Sequence, residues 1–336
     1  MKKNIHLILL ALLLAGAVQP LRAQTDGNTW LFRVYEDNDA LNIDGNLTDN
    51  SYTNGTRFDL FYIKNRPSRF FIDRLLPKAG DSSLNVYGFG LMQIMVTPND
   101  ISLPYDQTDD YPYSGALFFT HTLYSYNSKK NYSFMTELVA GIRGPASLAE
   151  PFQKLIHRLI NAQEPMGWRN QLGTSPLINI NITAEKKLFG LGRFAELIGG
   201  AQLSAGSMLD AFTFYPLLRI GKMEPYFNGY FSQYSSSRAP GTHKRKSQFY
   251  VFAKPETKLV LLNALVHGDK PDAEEPYPPA DQSTQRRIRH RMEAINFGAV
   301  FARGHFSIAY TQTHSTEYNK GLYHHNVGNV SVYFSW

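Results

Sequence analysis

Apolar and polar residues alternate with a period of two along most of the chain. Ile178, Ile180, Ile182 and Ala184 stand against Asn179, Asn181, Thr183 and Glu185. Phe306, Ile308 and Tyr310 alternate with Ser307, Ala309 and Thr311. The chain ends on Val330, Val332, Phe334 and Trp336 against Asn329, Ser331, Tyr333 and Ser335. Such alternation puts one face of a strand in an apolar medium and the other in a polar one. About twelve such stretches can be read, at 29–36, 52–63, 84–96, 113–126, 131–142, 176–188, 194–206, 211–220, 248–262, 290–302, 305–316 and 327–336. Most are longer than the roughly 5–6 residues of an ordinary globular strand. They suit the roughly 9–11 residues that a membrane-spanning strand needs. Connections at 127–130, 190–193 and 303–304 are very short. The pattern predicts an all-β chain, a transmembrane antiparallel β-barrel of about 12 strands, rather than a soluble sandwich. An even strand number puts both termini on one side. Parity then assigns 37–51, 97–112, 143–175, 207–210, 263–289 and 317–326 to the outer side. The segment 221–247 is long for an inner turn, and a further strand pair there would make fourteen.

Within the third outer loop the period changes to that of a helix. Phe152, Leu155, Ile156, Leu159 and Ile160 form an amphipathic stripe. Ser147 and Glu150 fit a capping box, and Pro151 suits an early helical position. Gln153 and His157 lie beside the stripe on one shared face, which Glu164 joins if the helix runs up to Pro165. An imidazole there could act as a general base near neutral pH. It could equally be a surface residue, or part of a helix that plugs the barrel.

Composition narrows the chemistry. The chain has no cysteine, which excludes disulfides, thiolate zinc sites and a thiol nucleophile. With 22 Phe and 20 Tyr it is not a disordered chain. Lys2 and Lys3, the apolar run Leu7–Val18 and Leu21-Arg22-Ala23 predict a signal peptide over Met1–Ala23. Residues 24–336 would then form a single barrel domain. Losing Lys2, Lys3 and Arg22 takes the net charge from +6 to +3, so basicity gives no argument for a nucleic-acid partner. The run Arg286-Arg287-Ile288-Arg289-His290-Arg291 reads instead as a rim for anionic headgroups. The pair His324-His325 reads as surface. No G-x-S-x-G, H-E-x-x-H or G-x-G-x-x-G pattern is present. Glu36-Asp37-Asn38-Asp39 and Thr48-Asp49-Asn50 offer hard oxygen ligands suited to Ca²⁺, or simply Asx turns.

Three blocks carry a family likeness. The first is Asn38-Asp39, then Thr48-Asp49 and Tyr52-Thr53-Asn54-Gly55. The second is Thr97-Pro98-Asn99-Asp100, then Asp110, Pro112-Tyr113 and Gly115. The third is Gly144-Pro145, Gln153, His157, Gly167-Trp168 and Gln171-Leu172. In order, spacing and strand context the chain resembles the outer-membrane lipid A 3′-O-deacylases over most of its mature length. The resemblance implies a Ca²⁺-dependent esterase whose site lies between the barrel wall and the loop helix, facing the outer leaflet. His157 would match the general base that activates water. Asp39, with Asn38 beside it, would match the metal-binding and positioning pair, and Thr53 a hydroxyl near the substrate or oxyanion. Gln153, Glu164 and Trp168 would belong to the substrate side, with Glu164 a second metal ligand. Four positions depart from the family pattern: Asn50 and Tyr111 where arginine is usual, Leu103 where a known member has a basic residue, and Gln163 where it has an acid.

The resemblance would make the chain an outer-membrane esterase acting on lipid A of lipopolysaccharide, and a monomer is expected. Calcium would polarise the ester carbonyl, so that no serine nucleophile is needed. Two other readings stand beside it. One is a non-enzymatic barrel, a pore or structural protein with the helix as its plug; the other is an outer-membrane phospholipase.

Overall fold

The computed structural model describes residues 30–43, 51–64, 68–107, 110–235, 247–268 and 288–336. The expected signal peptide and Asn50 lie outside the described residues, as do the side chains of residues 51–53. Twelve strands run in chain order: β1 (Trp30–Asn38), β2 (Ser51–Ile63), β3 (Leu84–Thr97), β4 (Ser114–Asn127), β5 (Tyr132–Arg143) and β6 (Ser175–Leu191) come first. They are followed by β7 (Ala195–Gly206), β8 (Leu209–Lys222), β9 (Ser247–Asn263), β10 (Arg291–Arg303), β11 (Phe306–Ser315) and β12 (His325–Ser335). Each pairs antiparallel with its sequence neighbours, and β1 closes on β12. Every alternating stretch in the sequence falls on its own strand. The described part of 221–247 holds no strand pair but a 3₁₀ turn, Tyr226–Asn228, and a short helix. The barrel therefore has twelve strands, not fourteen.

The alternation divides the wall into two media. Phe89 and Phe119 point outward and are exposed, as a lipid-facing wall requires. The inward face holds charge. Asp59 is buried between two arginines, with Arg33 at 2.7 Å and Arg57 at 2.8 Å, and Arg57 also meets Glu137 at 2.5 Å. Further round the wall, Glu196 pairs with Arg219 at 2.9 Å and Lys187 at 2.7 Å. Buried charges persist where opposite charges meet them with good geometry.

Among the described residues four short helices accompany the strands: α1 (Ile72–Leu75), α2 (Ala149–Leu159), α3 (Tyr230–Tyr234) and α4 (Ala264–His267). Two of them close the lumen from opposite ends. Phe231 of α3 packs among Leu31, Phe61, Val86 and Tyr124, and Gln248 Nε2 donates to the main chain of Ser232 and Ser235. Ala264 of α4 packs on Met92, Ala116, Phe118 and Leu177, and Arg143 Nη1 donates to its carbonyl at 2.7 Å. The lumen is thus closed at both ends around a cavity of about 250 Å³ lined by Glu185, Arg219, Tyr226 and Lys254. The helix expected as a possible plug, α2, is not in it.

Asp59→Ala would leave the Arg33 guanidinium without a carboxylate and Arg57 with Glu137 alone, and destabilise the barrel by about 3–5 kcal/mol. The temperature at which the folded, fast-migrating band is lost on an SDS gel should fall. An unchanged temperature would show that the ion-pair layer contributes nothing.

Candidate active site

At one rim the outward face of the wall turns polar. Glu36 stands opposite Thr56, and Thr56 opposite Gln93. This row shares its face with Leu91 and Phe89 farther along β3. The Thr56 hydroxyl donates to Glu36 Oε2 at 2.8 Å, and Asn54 Nδ2 donates to the other carboxylate oxygen. A carboxylate on a face otherwise turned to hydrocarbon is costly, so its presence marks a site.

Two segments fold back over this polar rim. One is the 3₁₀ turn Asp39–Leu41, which follows β1. Tyr310 donates its hydroxyl to the Leu41 carbonyl at 2.9 Å, and the Ile43 N–H donates to Gln312 Oε1 at 3.1 Å. Gly328 permits the approach, since a Cβ there would lie 2.1 Å from the Leu41 carbonyl oxygen. This segment lies over the outer face of β11 and β12. The other segment joins β5 to β6 and carries α2. It lies on the outer face of β3 and β4, where Gln93 Nε2 donates to the Ser147 carbonyl at 2.7 Å. Ala149 and Trp168 pack on Met95, Ile101 and Tyr113. A Cβ at Gly115 would come within 2.3 Å of Ala149 Cβ, so glycine sets how closely the helix meets the wall. The outer face of β1 and β2 lies between the two segments.

The helix is turned opposite to what its stripe suggests. Its buried residues are Ala149, Gln153 and His157, each one turn from the next. The apolar residues Phe152, Leu155 and Leu159 are exposed. The expected capping box does not form. Leu148, with φ +59°, is the N-cap, and Ser147 Oγ accepts from the Ala149 N–H at 3.4 Å while Glu150 pairs with Lys154. Pro151 does sit in the first turn. The helix stops at Leu159, so Glu164 is not on it.

Three of the expected site residues come together on the wall side of this segment. His157 is 7% exposed and its Nδ1 donates to the Gln163 carbonyl. A carbonyl only accepts, so Nδ1 carries a proton, and in the neutral imidazole Nε2 is then the acceptor. The indole Nε1 of the fully buried Trp168 donates to Gln153 Oε1 at 2.7 Å. That bond fixes which end of the amide is which. Gln153 Nε2 is buried and has no hydrogen-bond partner among the described residues. A buried amide donor of this kind is costly unless something completes it.

The other expected residues are placed differently. Asn38 turns its Oδ1 back to accept from the Ala40 N–H at 2.8 Å, capping the 3₁₀ turn. Asp39 is buried on the facing segment, and its carbonyl accepts from Asn42. Thr53 lies in β2, with its side chain outside the described residues. Glu164 does not converge with Asp39; it pairs with Arg158 at 2.7 Å on the surface. Among the described residues no group of three or more Asp, Glu or His side chains is arranged to hold a metal ion.

One cluster escaped the sequence reading. His325 is buried, not on the surface; His324 beside it is exposed. Tyr111 OH lies 3.2 Å from His325 Nε2, and Tyr318 and Tyr323 complete the aromatic group. Tyr323 donates its hydroxyl to Asp110 at 2.7 Å. Burial first, then the Asp110 and Asp39 carboxylates, hold this phenol well above its ordinary range. The departure at Tyr111 thus ties the β3–β4 loop to the β11–β12 loop. No local spacing could have signalled a contact across two hundred residues. In the basic run, Arg289 pairs with Glu317 and Arg291 with Glu293, so neither is a free rim cation.

Comparison with known proteins now bears on this arrangement. Residues 7–336 match the family model described as outer membrane protein LpxR. The structure of LpxR from Salmonella typhimurium superposes with a TM-score of 0.70 at 15% identity, covering 91% of this chain and all of that one. The β domain of the Bordetella autotransporter Brka gives a TM-score of 0.42 at 10% identity, over 93% of this chain and all of that one. A comparison with curated proteins found no match.

Gly115→Val should push α2 off the wall while the barrel still closes. Trypsin cleavage after Lys154 and Arg158 would then speed up in the folded protein. An unchanged digestion pattern would mean that the helix is held by other contacts.

Proposed function

The chain belongs to the LpxR family of outer-membrane proteins, and from that membership we propose that it is an outer-membrane lipid A deacylase, hydrolysing an ester-linked acyl chain. The observation that carries the mechanism is the oriented imidazole on the wall side of α2. With Nδ1 bound to the Gln163 carbonyl, His157 Nε2 is the proton acceptor. It takes a proton from water as the water oxygen adds to the ester carbonyl. It returns that proton to the sugar oxygen when the carbon–oxygen bond breaks. A positioned base of this kind contributes typically about 10²–10⁴-fold.

Gln153 Nε2 is the donor for the developing oxyanion. Trp168 holds the Oε1 end and so fixes the direction of Nε2, which a substrate reaches once the covering contacts move aside. Trp168 acts through Gln153 rather than on substrate. Asn38 and Asp39, on the facing segment, and Thr53 of β2 complete the substrate side. Glu164, tied to Arg158, is at most a contact for the sugar head beside the helix end. Calcium is implied by the family resemblance, and bound there it would polarise the carbonyl. Asp39, with Asn38 beside it, would help hold it, and no step here runs through it.

The substrate is drawn from the leaflet beside the wall, because both covering segments lie on the outer face. That placement, with a lumen crossed by ion pairs and closed at its ends by α3 and α4, supports an enzyme over a pore. A site on the lipid side also suits a phospholipase, and the choice of lipid separates the two.

Purified protein incubated with lipid A, in calcium and in chelator, should remove one acyl chain as read by mass spectrometry. His157→Ala should lower the rate by at least about 10²-fold, and Gln153→Ala by about 10²–10³-fold, with both barrels still folded. Asp39→Ala should also lose activity. Intact lipid A together with hydrolysed glycerophospholipid would move the assignment to a phospholipase. Intact lipids of both kinds would overturn the hydrolase.

A further inference from the structure

The orientation of α2 has a physical cost in water. Leu155 is 53% exposed and Leu159 67% exposed, with Phe152 beside them, while Gln153 and His157 fill the buried face. A helix that buries polar side chains and exposes its apolar stripe is upside down for an aqueous loop. It is correctly turned if the outer medium is hydrocarbon. Beneath it on the same outward face of β3 and β4 stand Leu91 and Phe119, both exposed and part of the lipid-facing belt of the barrel. The stripe of α2 continues that belt upward past the rim. Its charged residues are arranged to match. Lys154 pairs with Glu150 and Arg158 with Glu164, each at 2.7 Å, and long cationic side chains can reach a headgroup layer from a helix lying at its edge.

We infer that α2 is seated in the acyl-chain layer of the leaflet, with Phe152, Leu155 and Leu159 in contact with lipid tails. The partner of this surface is the hydrocarbon of the bilayer. The helix then forms a gunwale between lipid and wall, and a lipid tail can reach the Gln153–His157 face without leaving its own medium. The inference rests on the barrel standing in a bilayer, not on the reaction proposed above, so an inactive protein would leave it untouched.

The absence of cysteine makes the test clean. Leu155→Cys and Leu159→Cys are each labelled with a nitroxide in protein reconstituted into phosphatidylcholine vesicles. Phe119→Cys serves as the belt reference and Arg158→Cys as the aqueous one. Collision of the label with oxygen, which partitions into hydrocarbon, is compared with collision with a water-soluble nickel chelate. The expected ratio at 155 and 159 equals that at 119 and exceeds that at 158. A ratio at 155 and 159 equal to that at 158 would place the stripe in water and overturn the inference. Low collision with both reagents, with dipolar broadening between copies, would assign the face to a second copy of the chain and overturn it as well. All four positions are exposed or half-buried, so the substitutions leave the fold in place, which the gel mobility of the folded band confirms.

Discussion

Hydrocarbon offers backbone amides no hydrogen-bond partner, and the whole molecule answers to that fact. Closing β1 on β12 removes the sheet edge, so each strand finds its partners in its neighbours. Once the outer face is given to lipid, charge can go only inward or to the rim. Arg33, Arg57, Asp59 and Glu137 take the first option and form a layer in the lumen. Glu36, Asn54 and Thr56 take the second, on the outer face at the rim where two segments fold back.

The same constraint explains what could be read from the sequence. Lipid on one side and a polar interior on the other impose alternation on every strand, so all twelve were visible. The α2 helix was visible too, with its Gln153 and His157 face correctly grouped. Which of its two faces would be buried was not. Periodicity separates the faces, but the surrounding medium decides which one turns to the protein. Near a membrane rim the usual assignment reverses. Capping was misread for a related reason: Ser147 gives its carbonyl to Gln93 of the wall, a tertiary contact that overrides a local motif.

The site was legible in parts. His157 and Gln153 are one helical turn apart, so their meeting is local. The bond from Trp168 to Gln153 spans fifteen residues across a loop, and only the fold brings it about. Glu164 looked like a companion of His157 because the helix was expected to reach it; the chain turns after Leu159, and Arg158 claims the carboxylate. His325 looked like a surface residue because its neighbours are polar, yet Tyr111 and Tyr318 come to it from other loops. Long-range aromatic packing leaves no trace in local pattern.

The turn that carries Asp39 follows the first strand, but it rests on the last two. Tyr310 and Gln312 of β11 hold it, and Gly328 of β12 makes room for it. It therefore straddles the seam where the beginning and end of the chain meet. Until the C-terminal strand is in place this turn has no seat, and one wall of the site is missing. The position of Asp39 is thus a property of the closed barrel: it is set by the pairing of the two ends of the chain and not by the strand from which it extends.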